Sequence, residues 1–251
     1  MASLQDIVAF LDTELRISEI PDYSGAMNGL QLENGGAVKK VAAAVDASLP
    51  VVEKAVAAGA DLLVVHHGMF WQGAQPLTRA FYRKIKTAMD AGLAIYSAHL
   101  PLDVHPVLGN NALLMEALGL KPDGTFFDWK GIDLGLTAKV EISRDSLVER
   151  VAEAVGGPVH VCRGGSGVVR KVGVVTGGAG SEVALCAAAG MDTFITGEGP
   201  HWSYPMAEEL GINVLYAGHY ATETFGVKAL MGRLANDFTL DSEFIDHPSG
   251  L

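Results

Sequence analysis

The chain has 251 residues, 49% of them hydrophobic, enough to bury one large core or two small ones. Its 18 Lys and Arg face 29 Asp and Glu, a net charge of −11 with histidines neutral, which speaks against nonspecific binding to nucleic acid or an anionic membrane. Two cysteines, Cys162 and Cys186, are too few for a disulfide framework and have no CxxC spacing, so a reduced, cytoplasmic setting is expected.

Taken in order, "MASLQDIVAFLDTELRI" spaces apolar residues helically behind Ser3, a candidate cap, and reads as an amphipathic helix rather than a signal peptide. No apolar run has the length to span a bilayer. Strands are expected at 38–45, 61–67 and 93–99, and helices at 49–59, 79–92 and 109–120, the last with Asn110 near its start and Gly119 at its stop. The second half reopens with a strand at 135–143 and a helix at 145–156 ended by Gly156. Strands alternating with helices predict an α/β fold with largely parallel or mixed sheets flanked by helices.

Residues 170–202 can then be laid on residues 39–71 without a gap, at an offset of 131. Lys171 falls on Lys40, Gly190 on Gly59, Asp192 on Asp61 and Trp202 on Trp71. The following strands also match: "LAIYSAHLPLD" (93–103) resembles "NVLYAGHYATE" (213–223), placing His219 on His99 and Glu223 on Asp103. The common grammar of a β-α-β unit explains the first match alone. The second, a His-x-x-x-carboxylate after the next strand in both halves, favours an internal duplication. Two similar α/β units predict a site at their interface.

In a parallel sheet the C-terminal ends of the strands open into the binding crevice. "LLVVHH" delivers His66 and His67 there, the strand at 93–99 delivers His99, Asp103 and His105, and the strand at 213–217 delivers His219 and Glu223. Imidazoles with carboxylates are ligands for Zn, Fe, Mn, Ni or Co, whereas Ca and Mg prefer oxygen alone. His66 and His67 point to opposite sides if the strand continues, so they serve two ions or the chain turns between them. Asp103 and Glu223 are the available bridges for a two-ion hydrolytic clamp. Glu223 lies four residues beyond His219, on the same helical face if a helix starts there.

His99 fits a residue that supports a ligand from behind, or a proton shuttle. Glu198 stands where the repeat puts His67 and fits a general base or a pocket wall. His105, His160 and His247 are better explained as hydrogen-bonded structural residues, and "YRKIKT" (82–87) as a solvated helix face. "VVTGGAGSE" (174–182) lacks the third glycine of a dinucleotide fingerprint and reads as a tight turn. Trp71 and Trp202 suit a pocket floor and core packing equally.

The ordered set "NGLQLENG" (28–35), "HHGMFW" (66–71), "HLPLD" (99–103), "GNNALLMEALGL" (109–120), "VGVVTGGAGSE" (172–182), "TGEGPHW" (196–202) and "GHYATE" (218–223) resembles the interacting-factor-three-like family. Its members are also known as GTP cyclohydrolase type 2 homologues or dinuclear-metal-centre hexameric proteins. The resemblance covers nearly the whole chain and implies two α/β domains around a two-metal site, in a homohexameric ring whose sites face an inner cavity. It implies His66, His67, Asp103, His219 and Glu223 as ligands, Glu223 as the bridge, and His99 outside the principal set. The helix after His219 is implied to pack back on the first domain. Residues 1–125 with 218–251 are therefore expected to form a first domain carrying most ligands, and 126–217 a second. Gly68 stands where many members have proline, and a looser turn is expected there.

Two functions of different class follow. The first is a metal-dependent hydrolase with two divalent transition-metal ions per chain, acting on a small nucleotide-like, phosphorylated or ring-amidine substrate, with His99 or Glu198 moving protons. The second is a metal-handling or adaptor protein without turnover. A ring that holds DNA is a weaker third, opposed by the net charge. No nucleic-acid or membrane partner is expected.

Overall fold

A computed structural model describes all 251 residues, and the chain divides into two compact units: Met1–Leu102 with Gly226–His247, and Asp103–Phe225 with Pro248–Leu251. These junctions fall at 102/103 and 225/226, whereas the sequence suggested 125/126 and 217/218. The earlier first junction has a packing cause. Leu114, Met115, Leu118 and Leu120 are buried with Ala138, Val172 and Ile195 of the second unit.

In the first unit, β1 (Ala2–Ser3) leads into α1 (Leu4–Glu14), where the Ser3 side chain accepts from the Asp6 amide as the cap it was expected to be. Then follow β2 (Gly29–Leu32), β3 (Ala37–Val38), β4 (Lys40–Asp46), α2 (Leu49–Ala57), β5 (Leu62–His67), α3 (Arg79–Ala91) and β6 (Ala94–Ser97). Beyond β6 the chain forms α4 (Leu100–Asp103), α5 (Asn110–Ala117), β7 (Gly124–Trp129), β8 (Ile132–Ser143), α6 (Arg144–Val155), β9 (His160–Arg163) and β10 (Val168–Val174). It continues through α7 (Val183–Ala188), β11 (Thr193–Thr196), α8 (Ser203–Leu210), β12 (Asn213–Tyr216), α9 (His219–Thr222), α10 (Thr224–Phe238) and β13 (Asp241–Phe244).

The first unit holds a five-stranded sheet in the order β13-β4-β5-β6-β2, parallel except for the β2 edge. The runs "VAAAV" of β4 and "LLVV" of β5 are buried throughout, as central strands covered on both faces must be. On one face Val51, Val52 and Ala55 of α2 and Ala88 of α3 pack with Leu63, Val65 and Ile95.

The second unit holds a six-stranded sheet, β7-β8-β10-β11-β12-β9, whose parallel centre β10-β11-β12 is flanked by antiparallel neighbours. Successive strand residues go to opposite faces. Ile195 and Leu215 meet Leu114 of α5 with Leu147 and Val151 of α6, while Phe194 and Val214 meet Val183 of α7 and Ala207 of α8. The fold is thus mixed α/β in two main sheets, with β1 and β3 paired as a separate two-stranded ladder. No helix is long and apolar enough to cross a membrane.

The duplication is visible in hydrogen bonds. Asp61 Oδ2 accepts from the amides of Lys39 and Lys40, and Asp192 Oδ2 from those of Arg170 and Lys171. Lys40 Nζ donates to Ala58 O, and Lys171 Nζ to Ala189 O. Each pair is related by the same offset of 131.

Candidate metal centre

β5 lies between β4 and β6 in its sheet, and the two histidines at its end take partners from opposite sides. The His66 Nδ1–H donates to Ala98 O, just past β6, at 3.0 Å. The His67 Nδ1–H donates to Asp46 Oδ1, at the end of β4, at 2.9 Å. The strand runs on through His67, yet the ring centroids are only 4.8 Å apart. No turn between them is needed.

His99 completes a triangle, its ring 4.9 Å from His66 and 5.6 Å from His67. One ligand atom from each of the three lies within 4.8 Å of the others. The His99 Nδ1–H donates to Asp22 Oδ1 at 2.9 Å. Burial pushes the Asp22 carboxyl up, but His99, Asn28 and the Tyr23 amide outweigh it and hold the group below the usual carboxylate range. A carboxylate or carbonyl on Nδ1 fixes the tautomer in which Nε2 carries the lone pair, the usual support of a metal-binding histidine. Trp71 stands edge-on to His99 at 4.7 Å and to His67 at 5.5 Å.

The turn after His67 is not loose. Gln31 Oε1 accepts from the Met69 amide, while its Nε2 donates to Ala26 O and Met27 O. Its amide group occupies the space that a Cβ at Gly68 would fill. Gln31 thus fills the space beside Gly68 and ties the turn with three hydrogen bonds, and the looseness expected from the sequence is absent.

In the second unit His219 opens α9 directly after β12. Its Nδ1–H donates to Glu198 Oε1 at 2.8 Å, and Nε2 is 3.1 Å from Oε1 of Glu223, one helical turn on. Glu223 is 3% exposed. Burial by itself lowers the His219 pKa, but Glu223 and then Glu198 reverse this and raise it to about 9. One imidazole beside two carboxylates is a donor set that could hold a first-row transition metal once the imidazole has lost its proton. Asp103 is also buried, its Oδ1 accepting from Asn110 Nδ2 at 2.8 Å.

The glycine-rich turn after β10 works by close approach. Gly177 has φ +68°, its amide donates to Thr222 Oγ1, and its carbonyl accepts from the Gly197 and Glu198 amides. A Cβ there would run into Glu223 Oε1.

The remaining candidates fall elsewhere. His105 Nδ1 accepts from the amides of Val107 and Leu108, and His247 Nδ1 lies 3.2 Å from Lys54 Nζ. Trp202 is 48% exposed. Asp22, Asp46, Asn28, Gln31 and Asn110 escaped the sequence reading. Asp46 carried a usable signal, since it ends "KVAAAVD" at the same sheet edge as His67. Asp22 carried none, in a loop 77 residues from His99.

A family model described as Duf34/NIF3 (NGG1p interacting factor 3) matches residues 2–249. The chain is 40% identical over 248 residues to a Deinococcus radiodurans protein named GTP cyclohydrolase 1 type 2 homolog, covering 98% of this chain and 94% of that one. Among solved structures it is similar to protein ybgI, of unknown function (TM-score 0.92, 34% identity, 99% of this chain and 100% of that one). It is similar also to TTHA1606 from Thermus thermophilus (TM-score 0.90, 39% identity, 99% and 100%).

Proposed function

The chain belongs to the Duf34/NIF3 family, and on that premise we propose that it is a metal-dependent hydrolase with two divalent transition-metal ions. His66, His67, Asp103, His219 and Glu223 are its ligands and Glu223 the bridge. The carrying observation is the common preparation of the imidazoles. His66, His67 and His99 each commit Nδ1–H to a carbonyl or carboxylate oxygen, which gives Nε2 the lone pair a metal requires; His219 commits Nδ1–H to Glu198 in the same way and frees Nε2 once the proton facing Glu223 leaves.

Ions held by these residues would supply Lewis acidity and would lower the pKa of water toward neutrality. The chain's own residues hold and move the protons. Asp22 fixes His99 for transfer at Nε2, and Glu198 positions His219 through Nδ1. The substrate in this proposal is a small nucleotide-like, phosphorylated or ring-amidine molecule, supported by the name its relatives carry. A homohexamer is part of the same proposal and rests on the resemblance in sequence, while the cytoplasmic setting rests on the two cysteines, too few for a disulfide framework.

The test is turnover by protein loaded with zinc, manganese or ferrous iron, followed by phosphate release and purine absorbance with GTP and other nucleotides. Activity that disappears in His67→Ala is the expected result. Metal retained without turnover on any of these would replace the hydrolase with the metal-handling protein.

A further inference from the structure

The second unit contains a cavity of about 490 Å³ whose walls include three flat side chains from three elements: His160 of β9, Tyr204 of α8 and Tyr216 of β12. The His160 ring lies 5.7 Å from Tyr204 and 6.0 Å from Tyr216, at interplanar angles of 41° and 33°. Tyr216 is held in place. Ser203, fully buried, donates Oγ–H to Pro200 O at 2.7 Å, so the Tyr216 hydroxyl must donate to Ser203 Oγ, also at 2.7 Å. No lysine or arginine lines this cavity, which therefore suits a ring better than a phosphate.

Glu198 supplies the polar wall. Its Oε1 accepts from His219 Nδ1, and 42% of the side chain remains exposed, so the carboxylate has capacity for further donors. Flat faces beside an acceptor-only group select a planar heterocycle that presents N–H donors side by side. Guanine does so with N1–H and its exocyclic amine. Adenine sets a ring-nitrogen acceptor beside its amine, which the carboxylate repels.

We propose that this cavity binds the ring of a guanine-like nitrogen heterocycle, stacked by His160, Tyr204 and Tyr216 and read by Glu198. The proposal rests on the hydrolase reading and names the ring of its substrate. Glu198 then links ring recognition to His219, touching the ring directly and the proposed ligand through Nδ1.

The experiment is calorimetric titration of guanosine and of adenosine into the full chain, once stripped with chelator and once reloaded with zinc. Guanosine is expected to bind at least tenfold more tightly than adenosine in both forms. His160→Ala, at an exposed position, should weaken guanosine about fivefold or more, and Glu198→Gln, which can still accept from His219, should reduce the preference to within twofold. Equal binding of the two nucleosides by the wild type, or unchanged guanosine binding in both variants, would overturn the pocket. Guanosine preference in protein that does not rebind zinc would support the pocket and count against the metal centre. Zinc rebinding without guanosine preference would overturn the pocket alone.

Discussion

His67 Nδ1 and Asp46 Oδ1 lie 2.9 Å apart at the ends of two neighbouring parallel strands, paired in register. The pair orients the less buried histidine of the doublet without using its second nitrogen. Asp46 is thus a positioning residue for a proposed ligand. Asp46→Asn should lower metal affinity roughly 10- to 100-fold, the usual cost of losing the hydrogen-bond partner behind a ligand, while leaving the melting temperature of the metal-free protein nearly unchanged. Competition against a chromophoric chelator measures the first and thermal denaturation the second. Unchanged affinity would remove Asp46 from the site.

Gly177 combines a left-handed backbone with close approach to Glu223, a proposed ligand. Alanine at φ +68° costs about 1–2 kcal/mol, and its Cβ would displace the Glu223 carboxylate. Gly177→Ala is expected to fold with reduced stability and to lose metal out of proportion to that loss. Chemical denaturation and metal analysis on the same preparation separate the two effects.

The two carboxylates around His219 make the metal-free protein sensitive to pH. Its pKa is raised from an ordinary 6.5 to about 9, so its contribution to stability is complete below 6.5 and is lost as pH rises through about 9. The metal-free melting temperature should therefore fall across that interval, and Glu223→Gln should flatten the fall. Metal binding must run the other way. A proton on His219 has to leave before a metal enters, so affinity should rise about tenfold per pH unit toward 9 from this group alone. An affinity independent of pH would show that His219 is not a ligand.

Much of the fold was legible because it is written twice. Asp61 and Asp192 close equivalent strand–helix–strand units with the same pairs of backbone amides, and that constraint leaves aspartate and glycine at matching positions. The histidines were legible because apolar runs deliver them to strand ends. The edge strands were harder. β7, β9 and β13 are strands of 4 to 6 residues with mixed burial, and β9 and β13 pair with partners far along the chain, β12 and β4. Asp22 and Asn28 were illegible for the same reason. Their role comes from a loop folding back on His99, which no local periodicity records.

The central proposal is a dinuclear centre, and the most direct measurement is the metal content of the full chain purified without added metal or chelator. Elemental analysis should find about two transition-metal ions per chain, as a bridged pair requires, with that content reduced in His67→Ala and in Glu223→Ala. If the wild-type protein carries none and takes up none on reconstitution with zinc, manganese or ferrous iron, the assignment of His66, His67, Asp103, His219 and Glu223 as ligands is contradicted.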